Sequence, residues 1–171
     1  NLNHSKGRVT SSTHRDKQDN MSESSREQLQ IHPLSKEFSC LKLWIPDSER
    51  HVVVVALDRV RKRNAISTVM WREIGEVFSI LGRTGDDCRA IILTGAGTKA
   101  FTSGIDVTDE SFGLAANEDS ESSSKYDVAR KGLKFYPQIL EMQKCFTAVE
   151  ECPVPVIAAI QGSCIGAGVD L

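Results

Sequence analysis

Residues 153–171 read PVPVIAAIQGSCIGAGVDL. A run of small and β-branched apolar residues gives way to three glycines in seven positions, Gly162, Gly166 and Gly168, and then to one carboxylate, Asp170. Apolar runs of this length closed by glycine read as a strand feeding a tight turn. Residues 91–106, IILTGAGTKAFTSGID, follow the same plan and close on Asp106. Strand ends that lead into helix N-termini present free backbone N–H groups and a positive dipole end. Small residues let a ligand oxygen come close to those amides. Alone, such a turn is most often only a connection. Side by side, two of them supply converging donors for a developing oxyanion, each worth about 3 kcal/mol of transition-state stabilisation.

Working outward, FSCLKLWI (38–45) and HVVVVAL (51–57) are apolar and β-branched and are separated by PDSER, a hairpin-like pair of strands. ISTVMWREIGEVFSILGRTG (66–85) predicts a helix: Ser67 is a candidate N-cap, Met70, Ile74, Val77, Phe78 and Leu81 recur on one face, and Gly82 and Gly85 end it. RAIILTG (89–95) is a further strand, so the order strand, strand, helix, strand predicts an α/β fold. AGTKAFTSGIDV (96–107) is expected to be a loop that turns into a helix start. Residues 126–151 predict a long helix with Ile139, Met142, Phe146 and Val149 on one face, kinked or divided at Pro137. The acidic, Ser-rich stretch 114–125 is expected to be an exposed insertion within a domain spanning 37–171. Residues 1–36 hold only six large apolar residues, Leu2, Val9, Met21, Leu29, Ile31 and Leu34, and are expected to be disordered.

Composition narrows the function. At 171 residues and 40% hydrophobic content the chain can bury one domain's core. With 21 Lys and Arg against 23 Asp and Glu the net charge is −2, and no basic face points to nucleic acid. No apolar run approaches the ~18 residues of a transmembrane helix, so no membrane partner is expected. Five cysteines without a CxxC pair predict reduced thiols, and no Cys/His cluster has metal-ligand spacing. Asp170 stands among small apolar residues, where an acid is costly unless paired or functional.

The motifs AFTSGIDV (100–107) and PVPVIAAIQGSCIGAGVDL (153–171) resemble the enoyl-CoA hydratase/isomerase, or crotonase, superfamily, and within it the dienoyl-CoA isomerases. RVRKRNAISTVMWREI (59–74) is similar to the segment that in this family follows the first strands and helps bind coenzyme A. The resemblance implies an α/β spiral of ββα units, incomplete at its C-terminal end. It also implies isomerisation of 3,5-dienoyl-CoA to 2,4-dienoyl-CoA in fatty acid β-oxidation, with an acyl-CoA thioester as substrate and no separate cofactor. The backbone amides of Ile105 and Ala167 match the oxyanion-hole positions, Asp170 matches one acid of the acyl pocket, and Gly166 flanks the second donor. Arg61, Lys62, Arg63, Asn64 and Ala65 match the coenzyme A-proximal loop. Ala100, Ser103, Gly104, Ile105 and Asp106 fall in the stretch that matches the adenine-side wall.

Departures from the pattern are Ala167 where the family commonly has Gly, Gln161 where His is frequent, and Pro137 within the long helix. Two further pocket acids and the helices of the trimer interface lie beyond Leu171 in the family, so truncation and an inactive fragment are expected. A homotrimer or hexamer, in peroxisome or mitochondrion, is implied for the whole protein. Enoyl-CoA hydratase and monoenoyl-CoA isomerase are the neighbouring readings. GSCIG (162–166) also fits a nucleophile elbow with Cys164 as the nucleophile, but no histidine follows His51 to serve as its base. The glycines do not form the GxGxxG of a dinucleotide fold.

Overall fold

The computed structural model describes residues 29–83, 87–112 and 127–171. Residues 1–28, most of the stretch expected to be disordered, and the expected insertion at 114–125 lie outside the described residues. In chain order the elements are β1 (Leu29–Ile31), β2 (Leu41–Pro46), β3 (Val52–Leu57), α1 (Thr68–Leu81), β4 (Ala90–Gly95), β5 (Ala100–Thr102), α2 (Val128–Glu150), β6 (Val156–Ala159), β7 (Ser163–Cys164) and α3 (Ala167–Asp170).

A five-stranded sheet runs in the order β1-β2-β3-β4-β6, and β5 and β7 form a separate pair. β2 and β3 are the antiparallel hairpin expected from the sequence. β3–β4 and β4–β6 are parallel, connected through α1 and α2. The uninterrupted apolar sequence VVVVAL suits β3, which lies inside the sheet with Val55 and Leu57 fully buried. β2 instead alternates: Leu41 and Leu43 enter the core and Lys42 faces out. Among the described residues β6 is the last strand on its side of this sheet, and its Ile157 is 56% exposed.

α1 supplies the other half of the core through Met70, Ile74, Val77, Phe78 and Leu81, the residues that recur at helical spacing. The Ser67 hydroxyl caps it by accepting from the Met70 N–H at 3.3 Å. Glu73 sits on the same buried side. Its carboxylate accepts from the Ser39 N–H (2.8 Å), the Ser39 hydroxyl (2.7 Å) and the Cys40 N–H (2.8 Å), which ties the start of β2 to the helix. α2 crosses α1 closely. The Trp71 and Phe146 rings stack with centroids 4.4 Å apart, and the Trp71 indole N–H donates to the Met142 carbonyl at 2.6 Å. Pro137 removes one N–H from α2 without dividing it into two helices. Around it Leu133 and Tyr136 are exposed, so the lost bond falls on the wet side of the helix. Among the described residues no helix is long and apolar enough to cross a membrane.

Two expectations are corrected. Residues 29–36 are ordered: Gln30 and Ile31 pair with Ile45 and Trp44, and Pro33–Lys36 forms a 3-10 turn. Their order comes from backbone bonds to β2, such as His32 N–H to the Leu43 carbonyl at 3.1 Å, which composition cannot register. Residues 100–102 are strand rather than loop, and the nearest helical turn after Asp106 is the 3-10 segment Glu110–Phe112.

Gly75 marks the α1–α2 crossing: a Cβ there would lie 2.9 Å from the Cys145 Cα. Gly132 of α2 has no neighbour within 4 Å of such a Cβ. Gly75→Ala is therefore expected to destabilise the protein by about 1–3 kcal/mol, against about 0.5–1 kcal/mol of stabilisation for Gly132→Ala. Chemical denaturation of the two variants beside the parent checks both signs.

Candidate active site

The two glycine turns singled out in the sequence meet through the small sheet. β5 and β7 run parallel, with Ala100 opposite Ser163 and Thr102 opposite Cys164. The Ser163 N–H donates to the Lys99 carbonyl and the Ile165 N–H to the Thr102 carbonyl, both at 3.3 Å. Gly104 then turns with φ +86, and a Cβ on it would lie 2.8 Å from the Ile165 carbonyl oxygen. Only glycine combines that backbone with that approach. Gly166, φ +56, stands against Gly104 and is the N-cap of α3.

The Ile105 and Ala167 amides are among those that the two turns leave free. On either side of Ile105, the Gly104 carbonyl accepts from the Ile66 N–H at 2.8 Å and the Asp106 N–H donates to the Ile66 carbonyl at 2.9 Å. Among the described residues neither the Ile105 N–H nor the Ala167 N–H has a hydrogen-bond acceptor. Ala167 opens α3, where a first-turn amide has no partner within the helix. It does not lie at positive φ, so alanine serves where the family commonly has glycine.

Ile105 and Asp170 both line a cavity of about 1030 Å³. Its walls include Leu93, Trp71 and the Ile139, Met142, Phe146 and Val149 face of α2, the face predicted from helical spacing. Asp170 itself is exposed, at the end of α3. It forms no salt bridge among the described residues, and its carboxylate is available to a ligand in the cavity.

The basic loop divides into outward and inward residues. Arg61, Lys62 and Arg63 are exposed; Lys62 donates to the Thr108 hydroxyl at 3.1 Å, while Arg61 and Arg63 have no ion-pair partner among the described residues. Arg63 and Asn64 both take left-handed backbone, φ 50 and 55, where the chain reverses. Ser103 is tied to this loop, its N–H donating to the Arg63 carbonyl (3.0 Å) and its hydroxyl to the Lys62 carbonyl (3.3 Å).

Residues 47–171 match the model of the family "Enoyl-CoA hydratase/isomerase". The chain belongs to the enoyl-CoA hydratase/isomerase family. It is 45% identical over 129 residues to a mouse protein named mitochondrial Delta(3,5)-Delta(2,4)-dienoyl-CoA isomerase, covering 75% of this chain and 37% of that one. Against an Arabidopsis thaliana protein named peroxisomal Delta(3,5)-Delta(2,4)-dienoyl-CoA isomerase it is 36% identical over 136 residues, covering 80% and 46%. The crystal structure of an enoyl-CoA hydratase/carnithine racemase from Magnetospirillum magneticum superposes with a TM-score of 0.57 at 32% identity, covering 77% of this chain and 42% of that one. The architecture is the crotonase-like α/β fold of this family, and the chain spans less than half the length of these relatives.

Within this enoyl-CoA hydratase/isomerase chain, two residues expected to face coenzyme A point inward. Asn64 is 1% exposed. Its amide donates to the Ala96 and Ala100 carbonyls, each at 2.9 Å, and its carbonyl oxygen accepts from the Arg59 N–H at 3.1 Å, which spends the side chain inside the fold. Asp106 is 5% exposed and accepts from the Thr108 hydroxyl (2.6 Å), the Thr108 N–H (3.1 Å) and the Arg59 guanidinium (2.9 Å). Ala65 and Ala100 are buried as well and present no side chain to a ligand. The Cys164 thiol donates to the Gly168 carbonyl at 3.1 Å, while the His51 ring engages the Asp87 carbonyl at 2.9 Å, so among the described residues Cys164 has no imidazole partner. Among the described residues no group of three His, Cys, Asp or Glu has metal-site geometry.

Thr102 and Arg59 had not been singled out. Thr102 is fully buried, its hydroxyl donating to the Asn64 carbonyl (2.6 Å) and accepting from the Gly104 N–H (3.1 Å). A threonine inside the short apolar strand AFT was the available signal, because a buried hydroxyl there needs partners.

The Thr108 hydroxyl, and after it Arg59, hold the Asp106 carboxyl down at about 2, against an ordinary 3.8. A carboxyl lowered by folding contributes stability that is complete above its unfolded value and is lost as pH falls through the folded one. The melting temperature is expected to fall between pH of about 4 and about 2, and Asp106→Asn to flatten that part of the profile; melting curves across the window check it.

Proposed function

We propose that the protein carrying this chain isomerises 3,5-dienoyl-CoA thioesters to 2,4-dienoyl-CoA in fatty acid β-oxidation. The observation that carries this reading is a cavity lined by Ile105 and Asp170, with the free Ile105 amide in one glycine turn and the free Ala167 amide in the glycine turn packed against it. The amides of Ile105 and Ala167 donate to the thioester oxygen. Removal of a proton from C2 moves its electron pair into the conjugated system and onto that oxygen. Return of a proton at C6 re-forms the carbonyl and leaves double bonds at C2 and C4, so atoms and charge balance. Neutral N–H donors are suited to this step because they stabilise the enolate without titrating.

Asp170 and Glu150 both bring a carboxylate to the cavity, and Asp170, three residues after the Ala167 amide, is assigned to carry one of the protons. The aromatic and aliphatic face of α2 receives the acyl chain, and Arg61 and Arg63, exposed and without an ion-pair partner among the described residues, meet phosphate. The names of the mouse and Arabidopsis relatives support the dienoyl specificity, and they support a mitochondrial or peroxisomal location. Against the Cys164 hydrolase reading, no imidazole among the described residues is paired with the Cys164 thiol, which donates to the Gly168 carbonyl.

Conversion of a 3,5-dienoyl-CoA, followed by growth of the conjugated 2,4-dienoyl absorption, tests the proposal; hydration of a 2-enoyl-CoA without dienoyl turnover would overturn it. Asp170→Asn is expected to lower kcat about 100-fold or more with KM little changed. Ala167→Pro deletes one donor at the first position of a helix, where proline is accommodated, and Gly166 before it is already non-helical. Its kcat is expected to drop by about 10²–10³ in the same assay.

A further inference from the structure

The Ile105 amide owes its direction to residues that never reach the cavity. Gly104 and Asp106, on either side of it, are both bonded to the one residue Ile66. Ile66 in turn follows Ala65, and a single side chain grips both stretches. Arg59 donates through Nη1 to the Ala65 carbonyl at 2.6 Å and through Nη2 to the Asp106 carboxylate at 2.9 Å. The pair is largely dry: the Arg59 side chain is 23% exposed and that of Asp106 6%. Arg59 is itself held at its N–H by Asn64. The fork of a guanidinium spans a carbonyl and a carboxylate at once, which the single ammonium of lysine cannot reproduce.

We propose that the Arg59–Asp106 ion pair is a positioning element of the oxyanion hole, clamping the 104–106 turn to residues 65–66 so that the Ile105 N–H is aimed at the thioester oxygen. Neither residue lines the cavity that holds Ile105 and Asp170, and the Asp106 carboxylate is turned to Arg59 and Thr108 inside the fold. The proposal rests on the isomerase reading for its kinetic consequence but only on the existence of the hole for its spectroscopic one. A misdirected donor still binds the ground-state carbonyl weakly but no longer meets the developing charge. The loss therefore belongs in kcat rather than KM.

The test compares the parent with Arg59→Lys and Asp106→Asn. Turnover of a 3,5-dienoyl-CoA is measured, together with the carbonyl stretch of bound 2,4-hexadienoyl-CoA carrying a ¹³C label at C1. In the parent the bound carbonyl is expected to shift to lower frequency. Both variants are expected to lose most of that shift and between about 10- and 100-fold in kcat, with KM within about twofold. Folded fraction is followed by circular dichroism, and if Asp106→Asn does not fold, Arg59→Lys decides, because it keeps the charge and loses only the fork. Variants that melt earlier but keep the full carbonyl shift and kcat per folded molecule would show a structural ion pair only and overturn the proposal. So would a parent that binds the probe without any shift. A parent that shifts the carbonyl yet does not turn over the dienoyl thioester sinks the isomerase reading instead, and the variants' carbonyl shifts still decide the role of the pair.

Discussion

Two short strands, Ala100–Thr102 and Ser163–Cys164, lie parallel, and that pairing presses the Gly104 turn against the Ile165 carbonyl. Everything at the candidate site follows from this contact. The strands are more than sixty residues apart in the chain, and each belongs to a segment that leaves the large sheet, one after β4 and the other after β6. β4 and β6 are neighbours in that sheet, so the segments that follow them start side by side. The large sheet thus sets the distance between the turns, and the small one sets their register.

Around the contact the fold spends polar groups rather than apolar ones. Asn64, Thr102 and Asp106 are all buried, and each side chain is satisfied by backbone or by a charged partner. Burying such groups without partners costs about 1–3 kcal/mol each, so a network of this kind holds only in one arrangement. That property suits a site whose working parts are backbone amides. An amide has no rotamer to adjust, and its direction is that of the peptide plane. The left-handed Arg63 and Asn64 carry the same logic, because their strained turn delivers the Asn64 side chain beneath the 96–100 segment.

The helical face of α1, the hairpin and the face of α2 that lines the cavity were legible because each is a periodicity within a few turns of chain. The two glycine turns were legible as a repeated plan, and the family motifs attached the Ile105 and Ala167 amides to them. The inward direction of the Asn64 and Asp106 side chains was not legible, for one reason. A polar residue in a loop looks the same in sequence whether it faces a ligand or the Ala96 and Ala100 carbonyls. Residues 29–36 were misread in a similar way, since their order depends on β2 as a hydrogen-bonding partner and not on their own apolar content.

By itself the sequence determined the α/β class, the capped helix, the glycine turns and the small residues that let backbone approach backbone. These are local properties, set by side-chain size, alternation and allowed φ/ψ. Tertiary structure alone decided which amides stay unpaired, that Asp170 shares a cavity with Ile105, and that Arg59 and Asp106 point at each other. Those are relations between segments tens of residues apart, and they exist only once the sheet has closed the distance between them.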